Sequence, residues 1–310
     1  VLADAERWRE AAERERIRIL VHGEPGFPRE LEAIPDAPLV VYLRGALPVR
    51  PMLAIVGSRR PTPSGRRTAV RFSEALGRAG AAIVSGLAYG IDAGAHEGAL
   101  GVGAPTVAVL ASGVDRATPA GNRRLARRIL DEGGAWLSEH PPGHMPRPYD
   151  FPERNRLISG LARASLVVEA RESSGSLWTA RHALEQGKDV AVVPGPIDVD
   201  ACRGSNRLLR EGALPILDEE DLRLLVLPDA PTLLGAMAPR AALSPAAERV
   251  LARLEDGPVE IDRLAREIGG SQAIAAPLLE LEIAGLAARE GACVVRIGRF
   301  PSAARPVGRR

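Results

Sequence analysis

Short apolar runs and helix-like stretches alternate along most of the chain. LAIVG (53–57), AAIVSG (81–86), TVAVLASG (106–113), AWLSE (135–139), SLVVEA (165–170), DVAVVPG (189–195) and ALPIL (213–217) are near-continuous apolar segments. Between them, 65–79, 91–100, 122–132, 153–163, 176–186 and 204–211 carry helical spacing. Strands without polar alternation are buried on both faces, and the helices between them act as crossovers. The pattern therefore predicts a doubly wound α/β domain around a parallel sheet. Ahead of it, residues 1–20 read as a short charged helix. Residues 21–52 hold Pro25, Pro28, Pro35, Pro38, Pro48 and Pro51, which forbids long helices and leaves one strand near LVVYLRG.

Past Leu227 the texture changes. PDAPTLLGAMAPRAALSP has four prolines and no clear period, and reads as a linker. SPAAERVLARL then opens with a serine cap and a proline at the first helical position. IDRLAREIG and SQAIAAPLLELEIAG add two helices, and LAAREGACVVRIG reads as a β-hairpin. Three helices and a hairpin over 244–298 form the pattern of a winged helix. The expected organisation is a charged stub (1–20), a Rossmann-like domain (21–228), a linker (229–243), a winged helix (244–298) and a disordered basic tail (299–310).

Composition narrows the class. The 310 residues are 45% hydrophobic and 26% charged, an ordinary globular balance for two domains. No apolar run approaches the ~18 residues of a membrane span, and the charged first twenty residues lack the apolar centre of a signal peptide. Cys202 and Cys293 form no CxxC pair, which excludes a disulfide scaffold or a cysteine-rich zinc module and fits a reducing, cytoplasmic setting. The net charge of +2 hides a skew. Lys and Arg total 41 and Lys188 is the only lysine, leaving 40 arginines, the side chain that forks onto phosphate. Aromatics are 3%, so any nucleic-acid site must lean on phosphate contacts more than on stacking.

Ligands of open parallel sheets bind beyond the carboxyl ends of the strands. Gly57-Ser58-Arg59 follows the first strand within GSRRPTPSGRR, where glycine allows close approach and arginines supply charge. Taken alone, it is equally a turn with solvated arginines. SGLAYGID (85–92), containing Gly86, resembles a dinucleotide fingerprint. It lacks both G-x-G-x-x-G and the acidic residue that would follow, so no NAD or other cofactor is expected. Asp92 and His96 stand four apart, as two metal ligands would. With no third ligand beside them, a helix cap and a helix-face histidine are the better reading, and no metal is expected.

Arg154, Asn155 and Arg156 open a helix after a proline-rich loop, a polydentate phosphate pattern or an exposed basic helix start. Ser174, Gly175 and Ser176 follow SLVVEA with hydroxyls suited to an oxyanion. VPGPI precedes a further glycine turn feeding a helix with Asn206. Four or five such loops on one sheet edge predict that those of Arg59, Arg154 and Ser176 converge on one basic pocket. Arg60 is expected to turn away from it. Tyr89, Tyr149 and Phe151 lie in strand-end loops, where each either stacks a base or plugs loop packing.

Nine strings occur in order: FPRELEAIPDAPLVVYLRG, IVGSR, SGLAYGIDAGAH, the GVD…P…N of 113–122, SEHPPG, FPERNRLISGL, VVEA…SGSLWTA, VPG and GSNRLLREGA. Over about residues 20–217 the chain thereby resembles the DprA (Smf) family of DNA-processing proteins of bacterial transformation. The resemblance implies an extended Rossmann-like fold that binds single-stranded DNA, protects incoming strands and loads the RecA recombinase onto them as a homodimer, without enzymatic activity. It places Gly57, Ser58 and Arg59 in the family's phosphate loop, Arg154, Asn155 and Arg156 in its FPxRNR motif, and Ser174, Gly175 and Ser176 in its SGS turn. Thr118-Pro119 and Phe27-Pro28 stand where the family usually has Tyr-Pro. The resemblance further implies that the N-terminal helical domain some members carry is missing here or cut to a stub, and that the winged helix is a variable addition.

A competing class is an enzyme on a nucleotide or phosphoribosyl substrate. Related Rossmann-like hydrolases carry a PGGxGT-type loop and a following glutamate. SSGSLWTARHALE lacks the double glycine, which favours binding over hydrolysis. The third winged-helix segment has no basic residue and carries Glu280 and Glu282, so it is expected to serve protein contacts or regulation rather than groove reading.

Overall fold

The computed structural model describes residues 2–228, 244–254, 259–268, 270–283, 287–290 and 293–296, divided into two units between Ala230 and Pro231. The expected linker 229–243 and tail 299–310 lie outside the described residues.

The first unit runs α1 (Leu2–Arg14), β1 (Arg18–Val21), α2 (Arg29–Glu32), β2 (Val40–Gly45), β3 (Met52–Val56), α3 (Pro63–Arg78), β4 (Ala82–Ser85), α4 (Ile91–Gly101), β5 (Thr106–Val109), α5 (Arg123–Asp131), β6 (Ala135–Ser138), α6 (Asp150–Leu161), β7 (Ala164–Val167), α7 (Ser176–Glu185), β8 (Asp189–Val192), α8 (Arg203–Arg210), β9 (Leu214–Pro215) and α9 (Glu219–Val226). Its nine strands are ordered β1-β2-β6-β5-β4-β3-β7-β8-β9. β3 to β9 are parallel, while β2 joins β6 and β1 joins β2 antiparallel. This is the extended Rossmann-like doubly wound fold. The chain steps outward from β3 to β6, then returns to lay β7 on the other side of β3, with Val56 opposite Val167. The switch point is therefore the β3/β7 pair.

β3 shows why its sequence is continuously apolar. Met52, Ala54 and Val56 enter the core on one face of the sheet, and Leu53 and Ile55 enter the other, because successive side chains alternate sides. α3 starts behind Thr62, whose Oγ1 accepts the Gly65 N–H at 3.0 Å, with Pro63 in the first turn. It buries Phe72 and Leu76, each contributing about 2 kcal/mol by area.

Three local expectations need correction. The helix expected over 1–20 stops at Arg14, and RILV forms β1, paired from Arg18↔Leu43 to Val21↔Val40. An edge strand leaves its flanks exposed, so charge within RIRILV is compatible with pairing that only tertiary contacts supply. ALPIL yields only Leu214–Pro215 as strand, since Pro215 has no N–H for the ladder. DEEDLRLLV forms the unanticipated α9, started by an Asp218–Asp221 capping box.

The second unit holds α10 (Pro245–Arg253), β10 (Val259–Glu260), α11 (Ile261–Ile268), α12 (Ser271–Ile283), β11 (Ala287–Glu290) and β12 (Cys293–Arg296), with strand order β10-β12-β11, a winged helix. Val250, Leu264, Leu278 and Val294 share its core. Ser244 caps α10, and Glu280 of α12 accepts both its N–H (2.8 Å) and its hydroxyl (2.7 Å). These two bonds hold the Glu280 carboxyl below its ordinary range. Glu280 is thus a clamp between two helices, a role its sequence position did not reveal.

Candidate functional site

A cleft of about 690 Å³ opens at the β3/β7 switch point. It takes Gly57, Ser58, Arg59 and Arg60 from the loop after β3, Phe151, Arg154 and Asn155 from α6, and Ser174, Gly175 and Ser176 from the start of α7.

The first wall is fixed from beneath. A Cβ on Gly57 would stand 2.7 Å from Ile91 Cγ1 and 2.8 Å from the Glu169 carbonyl, so only glycine fits. The Ser58 N–H donates to the Glu169 carbonyl at 2.6 Å, and the Ser58 carbonyl accepts from the Ile91 N–H at 3.1 Å. Ser58 Oγ accepts the Arg60 N–H at 3.1 Å, closing a turn that leaves both Arg59 and Arg60 exposed. Arg60 lines the cleft with Arg59, against the expectation that it turns away. The Arg59 guanidinium lies 5.4 Å from the Phe151 ring centroid, a cation–π contact across the cleft.

Glu169, which sequence reasoning passed over, organises this wall. Its carboxylate accepts the Thr62 N–H (2.8 Å) and Thr62 hydroxyl (2.6 Å), tying the end of β7 to the start of α3. A Cβ on Gly65 would stand 2.3 Å from that carboxylate. The signal in the sequence is a lone acid closing an otherwise apolar strand.

The floor is a buried cation. Arg154, 7% exposed, donates through Nη1 to the Gly86 carbonyl (3.0 Å) and to the Val109 carbonyl, and through Nε to Asn155 Oδ1 (3.3 Å). Burial lowers its pKa to about 10, partly offset by Asp92, so it stays charged at neutral pH. Burial raises the Asp92 pKa against the opposing charge of Arg154 and the N–H groups of Ala88 and Gly86. Asp92 thus closes its own turn, as a cap would. Gly86 sits behind Arg154 instead of lining the cleft, because a Cβ there would lie 2.6 Å from Arg154 Nη2. Leu87, in the same turn, adopts φ +59°, a left-handed conformation costing about 1–2 kcal/mol. Asn122 holds it there through bonds to the Leu87 and Ala88 carbonyls at 2.8 and 3.2 Å.

His96 sits on the face of α4 that packs into the core. It is fully buried, with Nδ1 2.7 Å from Thr106 Oγ1. Burial, aided by Arg154, pushes its pKa down to about 3. Asp92 Oδ2 and His96 Nδ1 therefore bond separate partners, while His96 Nε2 is buried without one.

At the third wall, Ser174 Oγ and Ser176 Oγ lie 2.7 Å apart, and Asn155 Nδ2 donates to the Gly175 carbonyl at 3.1 Å. The N-terminus of the ten-residue α7 begins here, and its dipole favours an anion. Two exposed arginines, two hydroxyls and a helix start around one cleft amount to anion-binding chemistry.

Other sequence candidates lie elsewhere. Arg156 is two residues from Arg154, about 200° around an α-helix. It binds Asp36 and Glu139, each at 2.8 Å, outside the cleft. Asn206 clamps Gly195, accepting its N–H at 3.1 Å and donating to its carbonyl at 2.9 Å, and so shapes the VPG turn away from the cleft. Tyr89 and Tyr149 are exposed but do not line the cleft, whereas Phe151 does. Arg171, missed from sequence, lines it while pairing with Asp200 at 3.3 Å.

Known proteins share this sequence pattern and fold. Residues 18–226 match the DNA recombination-mediator protein A family, and residues 235–292 match the DprA winged helix domain. Protein Smf of Synechocystis sp. is 38% identical over 88% of this chain and 78% of its own. The X-ray structure of DNA processing protein A from Streptococcus pneumoniae superposes with a TM-score of 0.64 at 36% identity, over 69% of this chain and 76% of that one. DNA processing protein A from Helicobacter pylori, whose structure concerns its single-stranded DNA binding mode, gives a TM-score of 0.63 at 30% identity, over 70% and 98%. With the family match spanning the whole parallel sheet and a second match on the winged helix, the chain belongs to the DNA recombination-mediator protein A (DprA/Smf) family.

Proposed function

We propose that this protein binds single-stranded DNA by its phosphates in the β3/β7 cleft and, as a homodimer in the cytoplasm, protects strands taken up in transformation and loads RecA onto them. The observation that carries this reading is the convergence of Arg59, Arg60, Ser174, Ser176 and the α7 N-terminus on one open cleft above the Arg154 cation. Gly57 and Ser58 shape the wall, Asn155 orients the Gly175 turn, and Arg156, Gly86 and Asn206 support the frame. The single-stranded DNA binding of the Helicobacter pylori relative supports the choice of ligand.

Binding is favoured over catalysis by the state of the nearby carboxylates. Asp92 is buried and hydrogen-bonded to backbone N–H groups, and Glu169 is engaged by Thr62. Both Glu169 oxygens and Asp92 Oδ2 are thereby drawn away from general-base work. Gel-shift titration of the full chain with single-stranded and duplex DNA of one sequence tests the reading. Tighter binding of the single strand is expected, and equal or tighter duplex binding would overturn it. Release of free base from nucleoside monophosphates would instead support the enzyme.

A further inference from the structure

The loop joining β6 to α6 carries chemistry that the cleft does not use. His140, His144 and Asp150 bring one ligand atom each within 4.8 Å of one another. The two imidazoles stack with centroids 3.9 Å apart and planes 12° apart, and both face one carboxylate. His144 Nε2 lies 2.8 Å from Asp150 Oδ2, and His140 Nε2 lies 3.9 Å from Asp150 Oδ1. Asp150 is 1% exposed, while the histidine side chains are 25% and 22% exposed, so the cluster lies at the protein surface.

The loop is held in place independently of the two imidazoles. The Gly143 N–H donates to Asp115 Oδ1 at 2.9 Å, and the Gly113 N–H donates to the His144 carbonyl at 3.2 Å. A Cβ on Gly113 would stand 2.5 Å from the Pro141 carbonyl, so the loop seats on a position that only glycine fits. Asp150 Oδ2 also accepts the Arg147 N–H at 2.7 Å. A hydrogen bond of this kind orients a ligating carboxylate in known metal sites.

We propose that His140 Nε2, His144 Nε2 and the Asp150 carboxylate bind a divalent transition metal of the zinc type, with solvent as the fourth ligand. Two imidazole nitrogens and one carboxylate suit zinc, whereas magnesium and calcium take all-oxygen shells. Zinc–nitrogen and zinc–oxygen bonds of about 2.0–2.2 Å put tetrahedral ligands about 3.3–3.5 Å apart. The present separations, 2.8 Å from His144 to Oδ2 and 3.9 Å from His140 to Oδ1, lie on either side of that value, and the stacked rings must also splay for both Nε2 lone pairs to meet one ion. The ion would clip the proline-rich loop to the first turn of α6, the helix that carries Phe151, Arg154 and Asn155. It would act on the cleft by position, and the site stands whether or not the cleft binds DNA. The ligands follow as H-x3-H-x5-D across an irregular loop, where no helix-face spacing marks them, so the sequence led to the expectation of no metal.

Equilibrium dialysis of the chelator-stripped full chain against zinc chloride tests the proposal, with the His140→Ala/His144→Ala variant as comparison. Both residues are partly exposed, and circular dichroism verifies that the variant is folded. About one zinc per chain is expected, with affinity lower by about 100-fold or more in the variant. Cobalt(II) added to the wild type should give the strong visible bands of a four- or five-coordinate ion, absent from the variant. A His22→Ala/His182→Ala variant should keep both signals. Equal zinc in wild type and the His140/His144 variant, or a cobalt spectrum of the hexaaquo ion, would overturn the assignment.

Discussion

Arg59 and Arg154 face the same cleft from opposite environments. Arg59 stands in solvent on the rim, its guanidinium laid over Phe151 with its donors open to a ligand. Arg154 forms the floor, its Nη1 spent on the Gly86 and Val109 carbonyls and its Nε on Asn155. The two charges also repel, since Arg59 contributes to lowering the Arg154 pKa. An anion between them relieves that repulsion. The difference teaches that one residue type in neighbouring motifs does two jobs. Exposure keeps a charge available for binding, whereas burial converts it into a strut whose loss is felt as instability.

The largest effect that sharpens this contrast belongs to the floor. Arg154→Ala leaves Asp92 buried without its cation and two carbonyls unpaired, and should cost about 3–5 kcal/mol in denaturant unfolding. A loss under about 1 kcal/mol would mean that the floor does not depend on this charge. Asp92→Asn in the same background should recover part of the loss, since it removes the stranded carboxylate.

His96, beneath the floor, should make stability depend on acid. Its folded pKa of about 3 lies below its ordinary 6.5, so the unfolded chain binds the extra proton between those values. Its contribution is therefore present above pH 6.5 and is lost as pH falls, with a slope approaching 1.4 kcal/mol per unit. A folded His96→Asn variant should show a shallower decline from pH 6.5 to 4. Equal slopes would place the acid sensitivity elsewhere.

Smaller effects separate rim from frame. Arg156→Ala should cost about 1 kcal/mol, because one of its partners, Asp36, is solvent-screened. It should leave the salt dependence of DNA binding unchanged. Arg59→Ala and Arg60→Ala should each leave stability within about 0.5 kcal/mol and each flatten the log–log salt plot by about 0.7. A flatter plot for Arg156→Ala, or none for the Arg59/Arg60 double variant, would reverse the assignment of rim and frame. Removing residues 229–310 should change single-strand affinity by less than about tenfold, or 1.4 kcal/mol. A larger loss would move the binding site toward the winged helix.

What was legible in the chain follows from local rules. Uninterrupted apolar strands such as MLAIV can only be buried on both faces, so the parallel sheet and its helices were readable without coordinates. A switch point lies at the carboxyl ends of parallel strands by topology, so the glycine and arginine loops there were correctly drawn together. Burial and partnership were not readable. Arg154 and Arg156 look alike in RNR, and only the packing of α6 sends one beneath the cleft and the other to Asp36 and Glu139. Glu169, Asn206 and Glu280 became clamps because residues 107, 11 and 36 positions away arrive within hydrogen-bond reach. The approach of His140 and His144 to Asp150 depends in the same way on where an irregular loop folds back. Strand pattern and turn chemistry are written in neighbouring residues, whereas the environment of a charge is set by distant ones. The sequence by itself therefore determined the architecture and the edge that carries the site, and the tertiary structure alone decided which side chains there remain free to bind.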